Sequence, residues 1–392
     1  MKAVTWHGRR DVRVENVPDP QIKEPNDAII RVTSSGICGS DLHLYEVLGP
    51  FLSEGDILGH EPMGIVEETG PEVTHVKPGD RVVIPFNISC GHCHMCDMQL
   101  YAQCETTQVT EEDMGAALFG YTRLYGQVPG GQAEYLRVPQ AHFGPIKVPE
   151  GPPDERFVYL SDVLPTARQA VHWADVPEGG SVTVLGLGPI GQMAARIARH
   201  RGHRVIGVDL VPERLEMRRH GIEIIDADDA DDVPDAVRQL TGGRGTDSVI
   251  DAVGMEAHGS PGAKFAQTLA GLMPGNAAAP LMSRVGVDRL AALGTAVEAV
   301  RRGGTISLIG VYGGMADPLP MLRMFDKGVA LRMGQAHVKR WVDELMPLVS
   351  DDADPLGVMD LATHRWPLEK APQAYEIFQK KQDGAIKILL QP

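Results

Sequence analysis

Over residues 1 to about 150, short apolar runs alternate with polar, turn-forming residues at close intervals. Ala28-Ile-Ile-Arg-Val32 alternates well enough to predict a strand, and Gly64-Ile-Val-Glu67 and Arg81-Val-Val-Ile84 read the same way. Pro18-Asp-Pro20, Pro25-Asn-Asp27, Pro71-Glu72 and Lys77-Pro-Gly-Asp80 punctuate these runs as turns. The pattern predicts a β-rich, partly barrel-like domain. Near Gly151-Pro-Pro153 the texture changes. From Ser181 apolar runs alternate with helical stretches: Val182–Leu185, Ile190–His200, Arg204–Val208, then Pro212–His220. This is βαβ texture, which predicts a parallel sheet with helices on both faces. A Gly-, Ala- and Pro-rich stretch over roughly 258–281 interrupts it and is too long for an ordinary connection. The sheet is expected to resume at Gly304-Thr-Ile-Ser-Leu-Ile-Gly310, followed by a helix at Arg340–Val349 and a strand at Ile386–Leu390.

Composition narrows the function classes. A chain of 392 residues exceeds one ordinary core, so two domains are expected. Asp plus Glu number 52 against 37 Lys plus Arg, a net charge of −15, which argues against a nucleic-acid backbone or an anionic membrane as partner. The first residues, Met1-Lys-Ala-Val-Thr-Trp-His-Gly8, lack an apolar run of signal-peptide length, and no later segment reads as membrane-spanning. A cytoplasmic protein is expected. Four of the five cysteines crowd into fifteen residues, which in a reducing compartment reads as metal binding and not as disulfides.

The chemistry-bearing stretches begin with Gly36-Ile-Cys-Gly-Ser-Asp-Leu-His43, a thiol (Cys38), a hydroxyl (Ser40) and an imidazole (His43) within six residues. Gly36 and Gly39 are expected to break the preceding strand into a turn. Cys90, Cys93, Cys96 and Cys104 have CxxCxxCx7C spacing, which suits a closed, structural tetrahedral zinc site. His92 and His94 lie inside that loop and are read as surface residues; an iron–sulfur cluster is the lesser alternative. Val182-Thr-Val-Leu-Gly186-Leu-Gly188-Pro189-Ile190-Gly191 runs a strand into GxGxxG and a helix, with Asp209 at the end of the next strand. In that context the glycines admit a pyrophosphate at a helix N-terminus, and Asp209 is suited to accept from ribose hydroxyls. A carboxylate there favours NAD over NADP, while Arg214 leaves NADP open. Gly59-His60-Glu61 supplies a second potential metal pair beside Cys38. A third ligand is then needed, and Asp162, set in the apolar Leu160–Thr166 stretch, is the candidate.

Gly36–Asp41, Gly59-His-Glu61, the four-Cys loop and Gly186–Gly191 together resemble the zinc-dependent medium-chain dehydrogenases of the alcohol dehydrogenase superfamily, in the same order along the chain. Leu160-Ser-Asp-Val-Leu-Pro-Thr166, Asp251-Ala-Val-Gly254 and the segment after it, about 255–287, resemble more narrowly the glutathione-independent formaldehyde dehydrogenase and dismutase branch. The resemblance implies an α/β fold: a Rossmann doubly wound cofactor domain at 164–335 and a β-rich GroES-like catalytic domain in two pieces, 1–163 and 336–392. It implies two zinc ions per chain. Cys38, His60 and Asp162 would hold the catalytic one, with Glu61 adjacent as a transient or alternative ligand. Ser40 and His43 match the family's proton relay, and Phe86 an aromatic pocket position. Thr166, Val253, Gly254, Ile309, Val311 and Met333 fall where the family lines the cofactor site. Lys387 occupies the place of a pyrophosphate-binding basic residue.

The activity so implied is zinc-dependent hydride transfer between a small alcohol or aldehyde and NAD, formaldehyde dehydrogenase- or dismutase-like. In a dismutase the nicotinamide stays bound, and the segment at 255–287 would help to cover it. The alternatives are an ordinary alcohol or polyol dehydrogenase with exchangeable NAD and, remotely, a non-enzymatic nucleotide-binding protein on the same fold. The resemblance also implies a homodimer or homotetramer, paired through the strand near Gly304–Gly310 or the segment after it.

Overall fold

The computed structural model describes residues 1–216, 220–254, 290–312 and 319–392. The expected cofactor-covering segment at 255–287 lies outside the described residues, as does part of the expected helix at Pro212–His220, which is seen over Pro212–Leu215. The chain divides into two compact units, Met1–Pro165 with Ala336–Pro392, and Thr166–Gln335.

In chain order the first unit contains β1 (Lys2–Gly8), β2 (Asp11–Asn16), β3 (Ala28–Ile37), β4 (Glu61–Thr69), β5 (Arg81–Val83), β6 (Tyr135–Val138) and β7 (Ile146–Lys147). The second contains β8 (Ser181–Leu185), β9 (Arg204–Asp209), β10 (Glu223–Asp226), β11 (Thr246–Asp251), β12 (Val300–Leu308) and β13 (Ala330–Met333). Strands β14 (His364–Pro367) and β15 (Ile388–Gln391) belong to the first unit again.

The first unit is built on a sheet of order β14-β15-β3-β4-β5-β7, with β6 also on β3 and β1-β2 as a separate hairpin. Its centre is β3, whose final residues pair on one side with β4 (Gly36 with Glu61) and on the other with β15 (Gly36 with Leu389). The expectation that Gly36 breaks this strand is therefore corrected: ladders on both flanks carry β3 through Gly36 to Ile37, and a helix then starts at Gly39. Gly36 serves a different purpose, because a Cβ there would lie 2.0 Å from Glu61 Oε2. One core of this unit joins Val4, Ile37 and Leu44 to Tyr375 and Phe378 of the helix Ala371–Lys380 and to Ile388 and Leu390 of β15, so the C-terminal segment completes what the N-terminal strands begin.

The second unit is a parallel sheet of order β10-β9-β8-β11-β12-β13. Strand order reverses direction between β8 and β11, the doubly wound topology with its switch point at that pair. Buried runs such as Val182–Leu185 and Val205–Val208 are apolar without alternation because helices cover both faces of such a sheet. β12 lies between β11 and β13, so among the described residues β13, and not the strand near Gly304–Gly310, ends the sheet on that side. Among the described residues no helix is long and apolar enough to cross a membrane.

Candidate metal and nucleotide sites

The end of β3, the start of β4 and a short helical turn bring one cluster together. Cys38 follows β3 and precedes the helix Gly39–Glu46; its N–H donates to Asp41 Oδ2 at 2.9 Å, which ties the start of that helix to the strand end. His60 immediately precedes β4, and Glu61 is its first residue. Asp162 sits between the turn Val158–Ser161 and the helix Val163–Ala174, and this turn is held by the Phe86 N–H on Ser161 O at 3.0 Å.

One ligand atom from each of Cys38, His60, Glu61 and Asp162 lies within 4.8 Å of the others, and all four residues are buried. Asp162 Oδ2 is 3.6 Å from Cys38 Sγ and 3.5 Å from His60 Nε2. Zinc bonds of about 2.0–2.3 Å in a tetrahedron place ligand atoms roughly 3.3–3.8 Å apart, so these two spacings fit zinc without rearrangement. The charge balance fits as well. Two buried carboxylates and a thiol share the space, and Glu61 Oε1 has no hydrogen-bond partner. A cation answers that excess of acceptors. Burial pushes the Cys38 thiol up to about 11, and the Glu61 and Asp162 carboxylates push it in the same direction. Burial works against a charge on His60, but the carboxylates of Asp41 and Asp162 outweigh it and hold its pKa well above the ordinary value.

Lys387, expected at the pyrophosphate, is fully buried, with its Nζ donating to Glu61 Oε2 inside the first unit. Burial opposes its charge, and Glu61 more than restores it, raising its pKa.

The rings of Phe86 and Tyr121 approach His60 edge-on, each with a centroid separation of 6.4 Å, and form apolar walls at the cluster. Ser40 and His43 lie three residues apart on the helix Gly39–Glu46, both half-buried. Helical residues at that spacing share a face.

The second cluster is Cys90, Cys93, Cys96 and Cys104, again with all four sulfurs within 4.8 Å of one another. Its Cys90–Cys96 and Cys93–Cys104 sulfur separations are 4.0 and 3.9 Å. Amides are aimed at the sulfurs: Cys90 N–H at Cys104, Glu105 N–H at Cys93, both at 3.3 Å, as suits thiolates. Burial raises the Cys93 pKa, but donors from Cys96 and Glu105 prevail and bring it down to about 6. His92 Nδ1 faces Cys90 O at 2.9 Å, and His92 and His94 are both exposed, as expected of surface residues.

In the second unit β8 runs into Gly186, and the helix Pro189–His200 begins with Pro189 at its first position, where the missing N–H costs nothing. Gly191 is dictated by close packing, since a Cβ there would lie 1.8 Å from Gly186 O. Asp209, at the end of β9, accepts from Leu187 N–H at 2.6 Å and from the amides of Leu210 and Val211 at 2.8 and 2.9 Å, which fixes its carboxylate beside the glycine-rich loop. Arg214 lies 3.5 Å from the same carboxylate. Val253 and Gly254 follow β11, and their amides donate to Asp251 Oδ1 at 2.9 and 3.1 Å. Ile309 and Val311 follow β12, and Met333 ends β13. All these residues thus collect at the carboxyl ends of parallel strands, the edge at which such sheets take ligands. Thr166 is buried in the helix Val163–Ala174.

Sequence reasoning missed Asp41, Tyr121, Gln132 and Tyr375. Asp41 stands three residues from Cys38 inside the quoted motif and was within reach; the others carry no local signal.

The model for the alcohol dehydrogenase GroES-like domain matches residues 24–150, and that for zinc-binding dehydrogenases matches residues 189–268. The chain is 42% identical to the zinc-type alcohol dehydrogenase-like protein AdhB of Bacillus subtilis (strain 168), over 100% of both chains. It is 33% identical to the formaldehyde dismutase of Pseudomonas putida, covering 97% of this chain and 95% of that one. Among solved structures, the alcohol dehydrogenase TADH from Thermus sp. ATN1 superposes with a TM-score of 0.83 at 33% identity, over 100% of this chain and 99% of that one. The chain belongs to the zinc-type alcohol dehydrogenase family.

Proposed function

We propose that this protein interconverts a small alcohol and its carbonyl compound by hydride exchange with NAD, at a zinc ion held by Cys38, His60 and Asp162 with Glu61 adjacent. The convergence of those four ligand atoms within 4.8 Å carries the reading. When bound, zinc supplies a Lewis acid for the substrate oxygen and NAD the hydride acceptor. The chain's own residues do the rest. Phe86 and Tyr121 wall the site beside His60, exclude water and favour a small apolar substituent on the substrate. Ser40 takes the hydroxyl proton, and His43, one helical turn on, hands it toward solvent. The Gly186–Gly191 loop holds the pyrophosphate of NAD, and Asp209 the adenosine ribose. Carboxylate repulsion at Asp209 disfavours a 2′-phosphate, hence NAD over NADP. Cys90, Cys93, Cys96 and Cys104 hold a second, structural zinc. Cysteines gathered as metal ligands and not as disulfides support a reducing, cytoplasmic setting. It works as a homodimer or homotetramer.

One experiment tests the reading and its substrate class. Zinc-loaded, desalted protein is given short alcohols with added NAD, or formaldehyde with none, and Asp162→Ala is run beside it. The expected result is NADH formation from an alcohol, two zinc ions in wild type, one in Asp162→Ala, and a fall in rate of at least about 100-fold. Conversion of formaldehyde to methanol and formate without added NAD would instead support a dismutase form, the activity named for the 33% identical formaldehyde dismutase. Two zinc ions retained by Asp162→Ala would overturn its assignment as a ligand.

A further inference from the structure

A line of buried polar groups behind His60 has no part in the chemistry above. Tyr375, on the helix Ala371–Lys380, donates its hydroxyl to Gln132 Oε1 at 2.8 Å. Gln132 Nε2 is 3.3 Å from both Gly36 O and Asp41 Oδ2. Asp41 Oδ1 lies 3.2 Å from His60 Nδ1. That last contact is ionic and lacks hydrogen-bond alignment, yet among the described residues neither atom has another partner, so the two are left to each other. Tyr375, Gln132 and Asp41 are all completely buried, where an unmade hydrogen bond is costly.

The donor and acceptor roles along this line admit one arrangement. The Gln132 amide nitrogen must face Gly36 O and Asp41, which only accept; its oxygen must then face Tyr375, which donates. The backbone locks the amide in place. Gln132 N–H donates to Leu58 O at 2.9 Å, and its carbonyl accepts from Val4 N–H at 2.8 Å. Gly59 has φ of +98° and no room for a Cβ, which would lie 2.4 Å from Gln132 Cγ. The carboxylate of Asp41, held by Gln132 and by the Cys38 N–H, faces His60 Nδ1 as an acceptor. The proton of a neutral imidazole therefore resides on Nδ1, and Nε2 presents its lone pair toward Asp162 and Cys38.

We propose that Gln132 and Tyr375 are positioning residues, which through Asp41 hold His60 in the one tautomer and orientation that lets Nε2 ligate the catalytic metal. The inference rests on the zinc reading of Cys38, His60 and Asp162. Outer-shell partners of a ligating histidine are typically worth about 10–100-fold in metal affinity, and the C-terminal helix thereby contributes to a metal site it never touches.

The test uses zinc-loaded, full-length protein with four variants: Gln132→Met, Tyr375→Phe, the double variant, and His60→Ala. Zinc release to a chromophoric chelator is followed for each of the two ions. Visible ligand-field bands are recorded after exchange of the more labile zinc for Co²⁺. Gln132→Met and Tyr375→Phe should each weaken one zinc about 10-fold or more, leave the other unchanged and shift the Co²⁺ bands. The double variant should be little worse than Gln132→Met, because the groups act in series. Tyr375→Phe removes one oxygen atom, so it guards against a Gln132→Met protein that does not fold. If both variants lose thermal stability while affinity stays within about 2-fold and the bands do not move, the role is only structural and the proposal is overturned. If His60→Ala keeps two zinc ions, the zinc reading itself falls, and this inference with it; if His60→Ala loses one while the other variants lose nothing, only the inference falls.

Discussion

The pair Glu61–Lys387 shows what a single residue does in this site. Its partners are 326 positions apart and both fully buried. Without the ammonium, Glu61 would be a third uncompensated acceptor beside Cys38 and Asp162. Removal of one partner of a buried pair costs about 3–5 kcal/mol, whereas a matched neutral replacement is tolerated far better. Lys387→Met should therefore lose about that much unfolding free energy in urea with zinc saturating, and Lys387→Met with Glu61→Gln should recover most of it. A cost below about 1 kcal/mol for the single variant would rule out the pair as a stabilising contact. Residues of this kind divide sharply in legibility. Asp162 stands out in the sequence as a carboxylate in an apolar stretch, and Cys38, His60 and Glu61 through the motifs that resemble a zinc-dependent family. Lys387 carries no such mark. A terminal lysine reads as solvated or phosphate-binding, and only the pairing of β15 with β3 turns it inward to Glu61.

At the scale of elements, the helix Val338–Ser350 is tied to the four-cysteine loop through a histidine. His337 stands at its N-terminus, and its Nδ1 accepts from Ala102 N–H at 3.2 Å, in the turn between Cys96 and Cys104. Accepting requires a neutral ring. Burial and the nearby Arg340 accordingly bring its pKa down to about 4. The unfolded chain, with a histidine near 6.5, takes up the proton first as pH falls. The contribution to stability is thus complete above about pH 6.5, declines as pH falls and is gone below about 4, roughly 3 kcal/mol in all. His337→Asn, whose oxygen can accept the same bond, should flatten the urea midpoint between pH 6.5 and 4.5. Parallel profiles for the two proteins would exclude His337 as the source. Elements were legible where apolar period and breakers agreed, as for β8, the helix after it and β9. They were misread where a glycine had another purpose: Gly36 looked like a strand breaker and is instead the space that Glu61 and Lys387 occupy.

For the whole molecule, the exposed edge of the parallel sheet is the feature most in need of a partner. All four residues of β13 are exposed, and among the described residues β12 is the one strand paired with it. Close to it in the chain, Leu322 and Phe325 of the helix Met321–Lys327 are 81% and 84% exposed, and Met333 is 60% exposed. An open strand edge with large apolar side chains nearby is a liability in a monomer and an asset in an oligomer. Light scattering on the eluted protein should give a multiple of the 42.4 kDa chain mass, and Leu322→Glu with Phe325→Glu should shift it toward the single chain. A wild-type protein that elutes as one chain would refute the homo-oligomer.

Much of this protein follows from the sequence by itself. A strand, GxGxxG and a helix in immediate succession suit a tight loop at a helix N-terminus, and an acidic residue ending the next strand then lies beside it. Four cysteines within fifteen residues need only short loop closures to meet, so their spacing alone signals one shared site. Local chemistry at short range needs no fold to be read. Tertiary structure decided the rest, because it brings together groups that the chain keeps far apart. Asp162 reaches Cys38 across 124 positions, Lys387 reaches Glu61 across 326, and Tyr375 reaches Gln132 across 243. In each case the partner is chosen by the sheet that folds one strand against another, and no residue's neighbours in sequence record that choice.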